Sequence, residues 1–176
     1  MACGHCEAIA GKKRSAKLYD DGKLAAFLAE QPAAVGHIII APKEHMPIVE
    51  ALSDSAFSHL AKVTNKISVA VFEAIKCEGT NILIQNGIEA GQEEPHACVN
   101  IIARKTGDGL MFEWAPKQLS EEEMSTVELQ LKEALERKEP AAEEPEEKAA
   151  EPEAQEPDAL KEKEENYLIK QLRRMP

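Results

Sequence analysis

Apolar and polar positions follow two rhythms along this chain. Short β-prone runs at Ser15–Tyr19, Leu24–Leu28 and His37–Ile40 are broken by Asp20-Asp21-Gly22 and by the Pro32–Gly36 stretch, residues that favour turns. From Ser53 or Asp54, either a good N-cap, the spacing changes. Phe57, Leu60, Ala61, Thr64, Ile67, Val71, Ala74 and Ile75 recur at helical intervals, and Gly79 marks an expected stop. Asn81–Gln85 and His96–Ala103 read as strands with Gly87 and Gly91 between them, and a last short strand is expected near Trp114. This order predicts an α+β fold with a mainly antiparallel sheet and one major helix. Ser120-Glu121-Glu122-Glu123 is a capping-box pattern and opens a second helix, Ser120–Lys138.

The pattern breaks at residues 139–158. Glu, Ala and Pro dominate there, with prolines at 140, 145, 152 and 157. Such a segment lacks the apolar area to offset the entropy of folding, so an extended acidic linker is expected. Helical spacing returns over residues 159–176, where Leu168, Ile169 and Leu172 lie near Lys170, Arg173 and Arg174. This basic amphipathic segment either packs on its own domain or docks on a macromolecular partner. The organisation expected is therefore a domain over 1–138, a linker over 139–158 and a terminal helix over 159–176.

Charge adds one correction to first impressions. The 176 residues carry a formal net charge of −11, but nine carboxylates and one lysine put −8 of it in the linker. The domain itself is close to ordinary, and no basic face for a nucleic-acid duplex is implied. No apolar run approaches the roughly 18–20 residues of a membrane span, so no membrane partner is expected. The opening Met-Ala-Cys-Gly-His-Cys has neither the basic nor the apolar region of a signal peptide, making a cytoplasmic location the expectation.

Four cysteines without an export signal point to free thiols or metal ligands rather than disulfides. Cys3-Gly4-His5-Cys6 has the letters of a disulfide-isomerase active site, but that chemistry needs a preceding strand, and only Met1 and Ala2 stand before Cys3. Half of a zinc site is the better reading, with two ligands still to find. The histidines available are His5, His37, His45, His59 and His96. His59 falls among the polar positions of the helix; spacing alone does not choose among the rest.

Several separated motifs resemble one family. Gly36-His37-Ile38-Ile39-Ile40-Ala41-Pro42-Lys43-Glu44-His45 resembles the pattern G-H-x-φ-φ-x-P-K-x-H of the histidine-triad (HIT) nucleotide hydrolases and transferases. Gln85-Asn86-Gly87, Ala90-Gly91-Gln92 and Pro95-His96-Ala97-Cys98-Val99-Asn100-Ile101-Ile102-Ala103-Arg104 resemble that family's signature strand and the loop before it. Ile9-Ala10-Gly11 and Leu18-Tyr19-Asp20-Asp21 resemble its opening segment. The resemblance implies a HIT-like fold with a five-stranded sheet, and commonly a homodimer. In the family's zinc-containing branch it implies a closed Cys₂His₂ zinc site, here Cys3, Cys6, His45 and His96. It also places Gln85 and Gln92 in the phosphate pocket and His37 near the active site.

The same resemblance exposes a defect. Where the family reads H-φ-H-φ-H-φ-φ, this chain reads His-Ala-Cys-Val-Asn-Ile-Ile. Alternation in a strand puts His96, Cys98 and Asn100 on one face. Cys98 occupies the nucleophile position and Asn100 the third, phosphate-contacting one. Asparagine still donates a hydrogen bond, but an ordinary thiol is only a few per cent ionised at neutral pH. Cys98 and Arg104 satisfy Cys-x₅-Arg, yet six residues of strand separate them by roughly 20 Å, too far for a phosphate cradle. Glu93 and Glu94 follow the G-Q pair where the family commonly has a phosphate donor, and Ala29 replaces its ribose-binding aspartate. The expectation is a zinc-stabilised protein that has lost nucleotidyl transfer and acts by binding a nucleoside monophosphate or a macromolecule. The alternative is an active hydrolase or transferase on dinucleoside polyphosphates or nucleoside phosphoramidates, using Cys98 or a recruited His37.

Overall fold

The computed structural model describes residues 3–137. The expected linker and terminal segment, residues 139–176, lie outside the described residues. Those described divide into two compact units, 3–110 and 111–137.

The first unit begins with a short helix, α1 (Gly4–Ile9), followed by strands β1 (Lys17–Asp20), β2 (Leu24–Leu28) and β3 (Ile38–Pro42). A long helix, α2 (Asp54–Ile75), then crosses to β4 (Gly79–Leu83) and β5 (Val99–Arg104). All pairings are antiparallel in a five-stranded sheet ordered β1-β2-β3-β5-β4. The last strand in sequence therefore sits inside the sheet, paired on both sides: Ile39 faces Asn100 on β3, and Leu83 faces Asn100 on β4.

Helix α2 forms where the periodicity predicts. Ser53 caps it, its Oγ accepting from the Ala56 N–H at 3.3 Å. Its buried stripe is Leu60, Val63, Thr64, Ile67, Ser68 and Val71, while Phe57 is left exposed. That stripe meets Ile38, Ile40, Val99, Ile101 and Ala103 of the two central strands to make the core. The helix ends before Gly79, at Lys76, which takes the left-handed conformation (φ 55°, ψ 44°) and returns its N–H to the Phe72 carbonyl. Gly79 instead opens β4.

Two sequence expectations need correction. β5 starts at Val99, so His96, Ala97 and Cys98 lie just before the ladder rather than in it. Nor does a strand form near Trp114, which is 84% exposed. Both edges of β5 are already occupied, and the Arg104 guanidinium holds residues 105–110 in a turn through Asp108 and the Leu110 carbonyl.

The second unit contains α3 (Glu121–Arg137). The expected capping box is present: the Glu123 N–H donates to Ser120 Oγ at 3.3 Å, and the Ser120 N–H donates to the Glu123 carboxylate at 2.8 Å. No residue of α3 is buried. Among the described residues, no helix is long and apolar enough to cross a membrane.

Ile101 is wholly buried at the centre of both β5 and the core. Replacing it with alanine should cost about 2–5 kcal/mol through lost burial and a residual cavity. Urea unfolding would show this as a lower midpoint at unchanged slope.

Candidate functional site

Three segments converge beside the N-terminal end of β5. Cys3 stands at the N-cap of α1 and Cys6 lies in its first turn, an i, i+3 spacing that points both thiols to one side. His45 lies in the loop after β3. His96 lies in the approach to β5, tied to that loop by the Ala97 N–H, which donates to the Met46 carbonyl at 2.6 Å.

The four donor atoms lie within 4.8 Å of one another. His96 Nδ1 is 3.4 Å from both Cys3 Sγ and Cys6 Sγ, and His45 Nδ1 is 3.3 Å from Cys6 Sγ. A tetrahedral zinc with Zn–S of about 2.3 Å and Zn–N of about 2.0–2.1 Å separates sulfur from nitrogen by about 3.5 Å. These three sulfur–nitrogen distances match that spacing, and the donor set has the right chemistry to hold such an ion. Its orientation is fixed as well. His96 is fully buried and donates from Nε2 to the Pro42 carbonyl at 2.8 Å, which puts the lone pair on Nδ1, toward the thiols. Burial pulls the His96 pKa below its ordinary value, keeping the ring neutral as a ligand must be. Desolvation, then the neighbouring Cys3 thiol, pushes Cys6 up. His5 is outside this donor set; its ring packs edge-on near Phe27 and His96, at 5.8 and 5.9 Å between centroids.

Two residues further along the same face, the chemistry is different. Cys98 Sγ receives the Asn100 amide at 3.8 Å. Burial pushes the Cys98 thiol up to about 11, only partly offset by that hydrogen bond. Asn100 is in turn held by His37, whose Nε2 is 3.0 Å from Asn100 Oδ1. His37 Nδ1 accepts from the Ala33 N–H at 3.1 Å, so its proton resides on Nε2 and is donated to Asn100. The ring has both nitrogens engaged.

The two glutamines bind loop backbone. Gln85 Nε2 donates to the Ala90 carbonyl at 3.0 Å. Gln92 Nε2 donates to the Pro47 and Glu94 carbonyls at 2.7 and 2.9 Å, while its Oε1 accepts from the Gly87 N–H at 2.7 Å. The acidic pair separates: Glu93 is exposed, whereas Glu94 turns toward α1 and accepts from the Gly4 N–H at 2.8 Å. Glu94 is thus not a second carboxylate at a phosphate pocket, as the sequence suggested. Sequence reading also missed Asn86, which bridges the Val49 N–H and the Glu50 carboxylate. Neither contact has a local sequence signal, since the partners lie 36 to 90 residues apart.

The fold recurs in known proteins. The chain is 34% identical over 117 residues to the Arabidopsis thaliana adenylylsulfatase HINT3, a match covering 66% of this chain and 58% of that protein. The chain thus spans less than two thirds of that relative's length. It is 30% identical to the Schizosaccharomyces pombe adenosine 5'-monophosphoramidase hnt1, covering 72% of this chain and 93% of the relative. Among solved structures, a HIT family protein from Bacillus subtilis superposes with a TM-score of 0.70 at 28% identity, covering 81% of this chain and all of that one. A zinc-bound histidine triad family protein from Mycobacterium smegmatis gives 0.59 at 27% identity, covering 76% and 98%. The HIT domain family profile matches residues 10–107, more than half the chain, and by that match together with its five-stranded antiparallel fold this protein is a member of the HIT domain family.

Proposed function

We propose that this chain is a zinc-stabilised HIT protein that has given up nucleotidyl transfer and works by binding a nucleoside monophosphate. The observation that carries the reading is the commitment of every imidazole near position 98. Attack on phosphorus needs a free lone pair on the nucleophile. His96 directs Nδ1 to the two thiols and Nε2 to Pro42, and His37 is engaged at both nitrogens. Cys98 itself touches an amide that donates to it, rather than a base that would remove its proton. Asn100 retains a polar group at the position where a phosphate contact is expected.

In this reading Cys3, Cys6, His45 and His96 hold the metal. Four protein ligands leave no open position, so zinc would supply structure, joining α1 to the loops around β5. The ion-binding geometry and the zinc-bound neighbour of similar fold both support it. The chain also pairs with a second copy in this reading. Support comes from β4, an edge strand of the sheet, which with the following residue presents Ile82 and Ile84 about half exposed.

The names of the two relatives favour a second reading, an active hydrolase of adenylyl–heteroatom bonds. One assay separates the two. Purified protein incubated with adenosine phosphoramidate or a diadenosine polyphosphate should show no turnover above background, while adenosine monophosphate should give a binding heat by calorimetry. Turnover abolished by Cys98→Ala would establish the active reading instead.

Metal analysis of freshly purified protein should find about one zinc per chain, falling toward zero in Cys6→Ser. Stripping the metal should loosen residues 3–9 before it touches the core, visible as faster amide exchange confined to that segment. In solution the mass should be twice the 19.3 kDa of one chain, with a charged substitution at Ile82 shifting it toward the single-chain value.

A further inference from the structure

We infer that Glu94 is a positioning residue: it latches the Cys-x-x-Cys turn onto the loop that carries His96, so that the metal donors are assembled ahead of the ion. This rests on the zinc reading above and asks which residue outside the donor set builds it.

Gly4 is the first residue of α1, and its N–H is one of the donors that a helix start leaves without an internal partner. A capping side chain would ordinarily come from the preceding residue. That residue is Cys3, whose side chain makes no cap hydrogen bond and is committed to the donor cluster. The missing acceptor arrives from 90 residues away, as Glu94 Oε2 at 2.8 Å. Glu94 is itself anchored to the other half of the site. Its carbonyl accepts from the His96 N–H at 2.7 Å and from Gln92 Nε2 at 2.9 Å. One residue thus holds the cysteine half of the cluster by its side chain and the histidine half by its backbone.

The fit requires glycine at position 4. A Cβ there would stand 2.9 Å from both the Glu94 carboxyl carbon and Lys13 Nζ, and closer still to Glu94 Oε1, so a side chain at 4 displaces the carboxylate and the Lys13 ammonium together. Gly4 and Glu94 are two parts of one contact.

Zinc affinity, measured by competition with a chelator on the full chain, tests this. Glu94→Ala should weaken binding about 10–100-fold, the range expected for a group that orients ligands without touching metal. Glu94→Gln keeps an acceptor oxygen without the charge and should stay within a few-fold of the wild type. Gly4→Ala should weaken binding by a similar factor alone but add little in the Glu94→Ala background, because both changes break the same contact. Hydrogen exchange on metal-free protein gives the second readout, with faster exchange at Gly4–Ile9 expected in Glu94→Ala. Zinc affinity in Glu94→Ala equal to or above the wild type would overturn the latch, as would unchanged exchange in that segment. A wild-type chain that takes up no zinc would instead overturn the four-ligand reading, and the exchange comparison would still decide the latch alone.

Discussion

One hydrogen bond inside the protein sets the terms for everything around it, the donation from His96 Nε2 to the Pro42 carbonyl. A buried imidazole without a partner is costly, and a neutral one has a single lone pair to offer. Committing the Nε2 proton to the end of β3 decides where that lone pair goes. It faces Cys3 and Cys6, so the buried side of the site becomes a metal-ligand cluster. The same choice occupies Nε2, so the one lone pair of the neutral ring is the one on the thiol side. In the proposed reading the backbone of β3 thereby assigns this ring to the metal cluster.

The signature strand continues the same logic outward. Val99 and Ile101 belong to the core with the buried stripe of α2, and Cys98 and Asn100 take the alternate positions. There His37 spends its proton on Asn100 and takes one from Ala33, so the amide nitrogen of Asn100 is aimed at the Cys98 thiol. The arrangement is self-satisfied: each polar group answers another within the fold. A working nucleophile needs the opposite, an unmet demand directed at substrate.

Much of this could be read from the residues. Period-3.6 spacing located α2, short β-prone runs bounded by turn residues located β2 and β3, and Ser120 with Glu123 announced the cap of α3, because each depends on neighbours close in sequence. Cys3 and Cys6 were legible from their spacing as half of a metal site, but His45 and His96 only through family resemblance, since Cys3 and His96 are 93 positions apart and spacing says nothing about such a pair. The misreadings have one cause. The expected strand at Trp114 could not pair beside β5, whose two edges are taken by β3 and β4. Glu94 was grouped with Glu93 at the phosphate-donor position because their adjacency was visible and the reach of Glu94 to Gly4 was not. Helix α1 was missed because six residues around two cysteines carry no periodicity, and tertiary contacts hold it.

That 93-residue separation has a consequence for how the chain comes into being. Closing so long a loop costs entropy that only the finished sheet can offset, because β5, the last strand to be synthesised, takes a place between β3 and β4. On a growing chain, Cys3 and Cys6 therefore emerge first and stay without their buried partner until the strand carrying His96 has left the ribosome. Throughout that interval they are two bare thiols, open to oxidation or to capture by a softer metal. In the finished fold His96 is buried against these thiols, but during synthesis they wait without it.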